Sequence, residues 1–328
     1  MQKNKKQILV SGMKPTGRLH LGNFFGALKQ VIELQDRYDT TFFIADYHAL
    51  TTVKDAKIFK KNTQNLILDL LGAGIDPKKI NLYKQSDVPE VTELTWIFNC
   101  ITNVSYLKRA HAYKDAQSKG EEINSGTFNY PILMAADILI NKANVVPVGE
   151  DQRQHIEYTR DIALKFNSTY KKIFMIPEGV IPKSEGTLIG TDGRKMSKSY
   201  NNTIPLFAKF SEIKDSVMKI PTDSKGVEES KDPESCSLFK IHALVASKEE
   251  SDILRKRYIE GGIGYRESKD ILSQALNNYL KPFRERRNHY KKNPQEVEKI
   301  LKKGSKKIKK RASETVQEVR DAIGILKL

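Results

Sequence analysis

A short apolar run, Ile8-Leu9-Val10, a turn at Ser11-Gly12, and a helical pattern in Phe24, Phe25, Ala27, Leu28, Val31, Ile32 and Leu34 constrain this chain most. Strand, glycine-bearing turn, helix is the opening of a crossover unit, and the unit recurs. Thr41-Phe42-Phe43-Ile44-Ala45 reads as a buried strand. Residues 54–71 read as a helix with Leu66, Leu68, Leu70 and Leu71 apolar and Gly72 and Gly74 as stop signals. Ile80-Asn81-Leu82-Tyr83 and Asn144-Val145-Val146-Pro147-Val148 resume strands. Such alternation predicts an α/β fold with a doubly wound parallel sheet. Ligands of such sheets bind beyond the carboxyl ends of the strands. The clusters Asp46-Tyr47-His48, Gln85-Ser86-Asp87 and Gly149-Glu150-Asp151-Gln152 all fall at those ends.

After Asn202 the alternation fades, and residues 205–328 are mostly helical in pattern, interrupted at Gly261-Gly262-Ile263-Gly264. We therefore expect two domains, 1–204 and 205–328. Asn293-Pro294 reads as an N-cap with Pro at the first helical position. The helix it opens, about 294–325, carries Val297, Leu301, Ile308, Ala312, Val316, Val319 and Ile323 on one face. Lys302, Lys303, Lys306 and Lys310 lie opposite. That helix is a candidate to pack back on the first domain.

The net charge of +16 is concentrated: residues 281–311 hold fourteen Lys/Arg against three Glu. A polyanionic partner and a solvated helix face both explain such a window. No stretch approaches the ~20 apolar residues of a membrane span, and the basic start resembles neither a secretory signal nor a transit peptide. The expectation is a cytoplasmic protein without a membrane. Cys100 and Cys236 stand far apart without metal-site spacing, so neither a disulfide framework nor a structural metal is expected.

Two segments carry chemistry. Pro15-Thr16-Gly17-Arg18-Leu19-His20-Leu21-Gly22-Asn23 lies between the first strand and its helix. A helix start offers unpaired N–H groups to an anion, Gly22 lets a phosphate or base approach closely, and His20 and Asn23 add donors. Far downstream, Asp192-Gly193 opens the loop Arg194-Lys195-Met196-Ser197-Lys198-Ser199. Flexible ammonium groups beside a glycine suit a polyphosphate whose charge grows during reaction. Alone, each segment is weak: a capping histidine and a basic surface loop explain them equally.

Together with Asp46-Tyr47-His48-Ala49, Tyr130-Pro131-Ile132-Leu133-Met134-Ala135-Ala136-Asp137-Ile138-Leu139 and Val146-Pro147-Val148-Gly149-Glu150-Asp151-Gln152-Arg153-Gln154-His155, these segments resemble the class I aminoacyl-tRNA synthetases, specifically the bacterial-type tryptophanyl family. The likeness covers nearly the whole chain. It implies a Rossmann-like domain, a helical anticodon-binding domain and a homodimer. The implied substrates are L-tryptophan, ATP with Mg2+ held through ATP, and tRNA(Trp). The tryptophan carboxylate would attack the α-phosphate, releasing pyrophosphate, and the adenylate would pass to the terminal ribose of the tRNA. A carboxylate needs no general base for that attack, so catalysis would rest on positioning and charge stabilisation.

In this reading His20 and Asn23 hold the phosphates from one side, and Lys195 and Lys198 close from the other. Thr16, Gly22, Gly149, Asp151, Gln152, Met196, Ser197 and Ser199 line the nucleotide. Asp137 pairs with the indole N–H, Tyr130 and Gln152 meet the amino group, and His48 lies near. Met134, Val146 and Val148 wall the ring, although ordinary core packing fits those three equally. Asp137, set among apolar residues, requires a partner in any reading; a core ion pair or a helix cap is the alternative. Two positions depart from the family. Lys14 stands where many relatives carry Gln, which leaves its role open between the substrate carboxylate and a phosphate. Tyr113-Lys114-Asp115-Ala116 lacks a second lysine, with Lys114 and Lys119 as substitutes. The rivals are a tyrosyl enzyme, a non-catalytic tRNA-binding paralogue and a small-molecule nucleotidyl transferase. The Gly149–His155 string and Asn23 favour tryptophan, the intact His20, Asn23, Lys195 and Lys198 favour catalysis, and the helical extension favours tRNA.

Overall fold

The computed structural model describes residues 6–118, 120, 123–149, 152–180 and 188–326. Five parallel strands, β1 (Ile8–Met13), β2 (Asp39–Ile44), β3 (Ile80–Lys84), β4 (Val145–Pro147) and β5 (Glu178–Val180), form one sheet in the order β3-β2-β1-β4-β5. The chain winds from β1 outward to β3 and returns to lay β4 on the other side of β1, pairing Leu9 with Val145. The winding direction reverses between β1 and β4, and a crevice opens beyond their carboxyl ends.

Successive strand residues serve opposite faces, and both faces are covered. Leu9, Phe42, Leu82 and Val145 enter one apolar core, and Val10, Phe43, Tyr83 and Val146 enter the other. The helix Ala56–Ala73 begins at Asp55, whose carboxylate accepts from the N–H groups of Lys57 and Ile58, and stops at Gly74 with φ +118°. β5 escaped the sequence reading because it is three residues long and begins with exposed Glu178 and Gly179.

Beyond residue 205 the regular elements are helices Phe210–Met218, Ser237–Val245, Lys248–Glu260, Tyr265–Lys292 and Pro294–Ile323, with residues 219–236 irregular. Leu272, Leu276 and Leu280 share a core with Leu9, Phe42 and Leu66, and the 265–292 helix reaches that core by packing on helix Ala56–Ala73. Helix Pro294–Ile323 crosses the outer side of edge strand β3. A Cβ on Gly304 would stand 2.0 Å from the Leu82 carbonyl oxygen, so helix and strand meet backbone to backbone there. Val297 and Leu301 join one core before the crossing; Ile308, Ala312, Val316 and Val319 join the other after it. Lys307 Nζ (2.9 Å) and an Arg311 N–H (2.7 Å) both donate to Asp39 at the start of β2.

Asn293 stands at the N-cap of the last helix as expected, its carbonyl accepting from the Glu296 N–H at 3.1 Å. Its side chain makes no cap bond: the side-chain amide donates backward to the His289 carbonyl at 2.8 Å, closing the preceding helix. Pro294 does occupy the first turn, where its missing N–H costs nothing.

Candidate active site

The turn after β1 builds one wall of the crevice. Gly17 has φ +109°, a conformation open to glycine and strained for other residues. Lys14 sits 5.1 Å over the Tyr130 ring, and surrounding protein lowers its pKa by desolvation, although the side chain keeps access to solvent. His20 opens the first helical run, Leu21–Asn23, which continues as a π turn over Phe24–Leu28 and then as Lys29–Leu34. Asn23 Oδ1 accepts from the His20 N–H at 3.3 Å. The imidazole is buried, and burial first, then the nearby Lys198 charge, push its pKa down to about 4. His20 is therefore neutral at pH 7, with an Nδ1 that has no hydrogen-bond partner among the described residues. A buried polar atom of this kind calls for a ligand group. A Cβ at Gly22 would lie 3.0 Å from the His20 ring and 3.4 Å from Met196 Cβ.

The basic loop is tied to that wall. The Leu21 N–H donates to Ile204 O (3.0 Å) and the Leu206 N–H to Leu19 O (2.9 Å), clipping the segment after the loop against residues 19–21. Met196 is buried and its sulfur faces the Gly22 N–H at 3.3 Å. Lys198, an exposed residue, reaches across: its ammonium donates to Thr16 O at 3.4 Å, and desolvation there lowers its pKa. Asn202 fastens the loop internally. Its amide N–H groups donate to Asp192 Oδ1 (2.6 Å) and Lys195 O (3.0 Å), and its Oδ1 accepts from the Ser197 N–H (2.8 Å). The Asn202 amide bond to Asp192 leads the causes, with Arg194 contributing, that hold the Asp192 carboxyl at about 2. The Ser197 and Ser199 hydroxyls bond each other at 2.8 Å. The Lys195 ammonium, on an exposed residue, makes no hydrogen bond or ion pair among the described residues.

Beneath the crevice lies a buried carboxylate. Asp137, on helix Ser125–Leu139, is 1% exposed. Gln85 Nε2 donates to both of its oxygens (2.8 and 2.9 Å), and His48 Nε2 lies 2.9 Å from Oδ2. Gln85 Oε1 accepts in turn from the Tyr47 N–H at 3.1 Å. Burial raises the Asp137 pKa, and the His48 and Gln85 bonds oppose it. Beside this group, the Tyr130 hydroxyl lies 2.5 Å from His155 Nε2, and His155 Nδ1 lies 2.9 Å from Gln152 Oε1. Asp46 accepts from the Ser86 N–H at 3.0 Å, joining the ends of β2 and β3.

A neutral histidine at a helix start, a lysine loop clipped over it and a buried carboxylate below make a crevice with an anion end and a polar-lined deep end. Residues 2–281 match the family of class I tRNA synthetases for W and Y. The chain belongs to that family. It is 46% identical to the tryptophan–tRNA ligase of Fusobacterium nucleatum over 97% of this chain and 98% of that one. With the tryptophan–tRNA ligase of Rhodopirellula baltica it shares 43% identity over 97% and 99% of the two chains. Its fold superposes on the Campylobacter jejuni tryptophanyl-tRNA synthetase solved with ADP and tryptophan, with TM-score 0.92, 42% identity, and coverage of 97% of this chain and all of that one.

In this class I synthetase the structure gathers most residues singled out in the sequence. Thr16, His20, Gly22, Asn23, Met196 and Lys198 lie together where the basic loop crosses the first turn; His48, Tyr130, Asp137 and Gln152 gather at the deep end, with Lys14 over the Tyr130 ring. Val146 and Val148 are buried in the core facing that end, and Met134 is half-buried against the same core. Gly149 accepts from the Gln152 N–H at 2.9 Å. Asp151 and Lys119 lie outside the described residues; Lys114 is exposed on helix His111–Ser118. Gln85 and His155 were not assigned from the sequence. A glutamine ending a strand looks like an ordinary loop residue, and only the fold reveals the carboxylate it serves.

Proposed function

We propose that this chain is a tryptophan–tRNA ligase. The observation that carries the reading is 46% and 43% identity with tryptophan–tRNA ligases over 97% of the chain, supported by the unpartnered Nδ1 of buried His20 close to the Lys198 charge. L-tryptophan enters with its indole N–H toward Asp137, and its carboxylate attacks the α-phosphate of ATP. The new O–P bond forms as the bond to the bridging oxygen breaks, and pyrophosphate leaves. Neutral His20 donates to a phosphate oxygen without bringing a charge. Lys195 and Lys198 supply the cations, Asn23 and the serine hydroxyls supply hydrogen bonds, and Tyr130 with Gln152 orients the amino group. The adenylate then passes to the 3′-terminal ribose of tRNA(Trp).

Mg2+ would enter held by the phosphates of ATP. Residues 1–204 serve as the adenylation domain and 205–328 as the anticodon-binding one. We further read the enzyme as a cytoplasmic homodimer. Charging of bulk tRNA with labelled tryptophan or labelled tyrosine tests the reading. Tryptophan alone should be attached; attachment of tyrosine alone would transfer the chain to the tyrosyl branch.

A further inference from the structure

The basic window at 281–311 divides once it is folded. Several of its cations brace the interior. Arg287 Nε donates to Asp69 Oδ1 at 2.5 Å, Arg286 Nε to Gly72 O at 2.9 Å, and Arg284 to Ala208 O at 3.2 Å. Lys307 and Arg311 hold Asp39. Four others, Lys291, Lys302, Lys306 and Lys309, line a groove of about 930 Å³ between helices Ala56–Ala73 and Pro294–Ile323. Its floor is apolar, with Ile67, Leu68, Val297, Leu301 and the ring of Tyr290.

Charge around that floor is unbalanced. The lining acids are already matched, Asp87 by Lys84 at 2.8 Å and Glu298 by Lys302 at 2.6 Å. Lys61, Lys291, Lys306 and Lys309 also line the groove and make no ion pair or hydrogen bond among the described residues. Lys302, Lys306 and Lys309 follow i, i+4, i+7 spacing, so they form one row spanning about 10 Å of helix. A row of cations beside an apolar and aromatic floor suits a nucleic acid strand, whose phosphates take the cations while its bases take the floor. Lys84, the last residue of β3, also lines the groove.

We propose that this groove holds a segment of the tRNA, its phosphates along the Lys302-Lys306-Lys309 row and a base against Tyr290. This rests on the reading of tRNA as the acceptor. The struts Arg284, Arg286 and Arg287 take no part in tRNA contact.

The test compares K302A/K306A/K309A with K165A/K171A/K172A, which removes equal charge from exposed lysines at the end of helix Arg153–Thr169 and the turn after it. Filter binding of bulk tRNA to the full-length protein is measured across a salt series, beside tryptophan-dependent pyrophosphate exchange, which requires no tRNA. The groove variant should bind tRNA about tenfold more weakly, with the slope of log affinity against log salt flattened by about two. Its exchange should match the wild type, and the control should match it in both. Wild-type affinity and slope in the groove variant would overturn the proposal and leave the row to an acidic protein partner. Equal losses in both variants would overturn it too, assigning the effect to diffuse charge. Failure of the wild type to exchange with tryptophan would instead strike the functional reading, while the binding series would still decide the groove.

Discussion

Asp137 shows how a single side chain joins folding to recognition. Both of its oxygens accept from Gln85, and Gln85 cannot turn its own oxygen inward without abandoning the Tyr47 N–H. Asp137→Asn would set an amide donor against the Gln85 amide, an unsatisfied contact costing about 1–3 kcal/mol. We expect lower thermal stability and at least about tenfold weaker tryptophan binding by titration calorimetry, the equivalent of one lost buried hydrogen bond. A folded variant with unchanged affinity would return Asp137 to a purely structural role. His20 carries a pH signature. Its folded pKa of about 4 lies below the ordinary 6.5, so between those values the unfolded chain binds more protons than the folded one. Stability must therefore fall as pH drops from about 6.5 toward about 4. Melting curves should show a shallower acid decline in His20→Asn than in the wild type. The need of Asp137 for a partner was legible in its apolar neighbours, whereas the partners were not: Gln85 and His48 stand 52 and 89 residues away.

At the scale of elements, the sequence pattern revealed four of the five strands and the long helices at 54–71 and 294–325, but it could not reveal what each would touch. Gly304 is the place where the last helix meets β3 backbone to backbone. Gly304→Ala should cost about 1–3 kcal/mol or more, because the backbone it would strike has no room to move, and urea denaturation would measure this. β3 would then lose the cover that a sheet edge requires. The basic loop behaves as an element as well. Asn202 bonds to three of its residues, and a Cβ at Gly190 would stand 2.4 Å from the Asn202 amide. Asn202→Ala should lower the maximal exchange rate while leaving the KM for tryptophan nearly unchanged, since the loop lies at the anion end of the crevice. An equal rise in KM would mean that the loop also shapes the amino-acid pocket. The motif was legible as chemistry, but its latch was not, because an asparagine after a serine-lysine run reads as ordinary turn sequence.

Across the whole molecule, one crevice is assembled from segments spread between residue 14 and residue 202, and the fold sorts a basic chain into struts and free cations. Net charge was visible in the sequence; its division was not, since Arg287 and Lys306 are equivalent until Asp69 is found beside only one of them. The central claim is that the crevice activates tryptophan by stabilising charge on departing pyrophosphate. Amino-acid-dependent exchange of labelled pyrophosphate into ATP, run on the wild type and Lys198→Ala, tests it most directly. Exchange should run with tryptophan and not with tyrosine, and Lys198→Ala should lose much of its rate with tryptophan affinity retained. Exchange driven by tyrosine, no exchange with tryptophan, or equal losses of rate and affinity in the variant would contradict it.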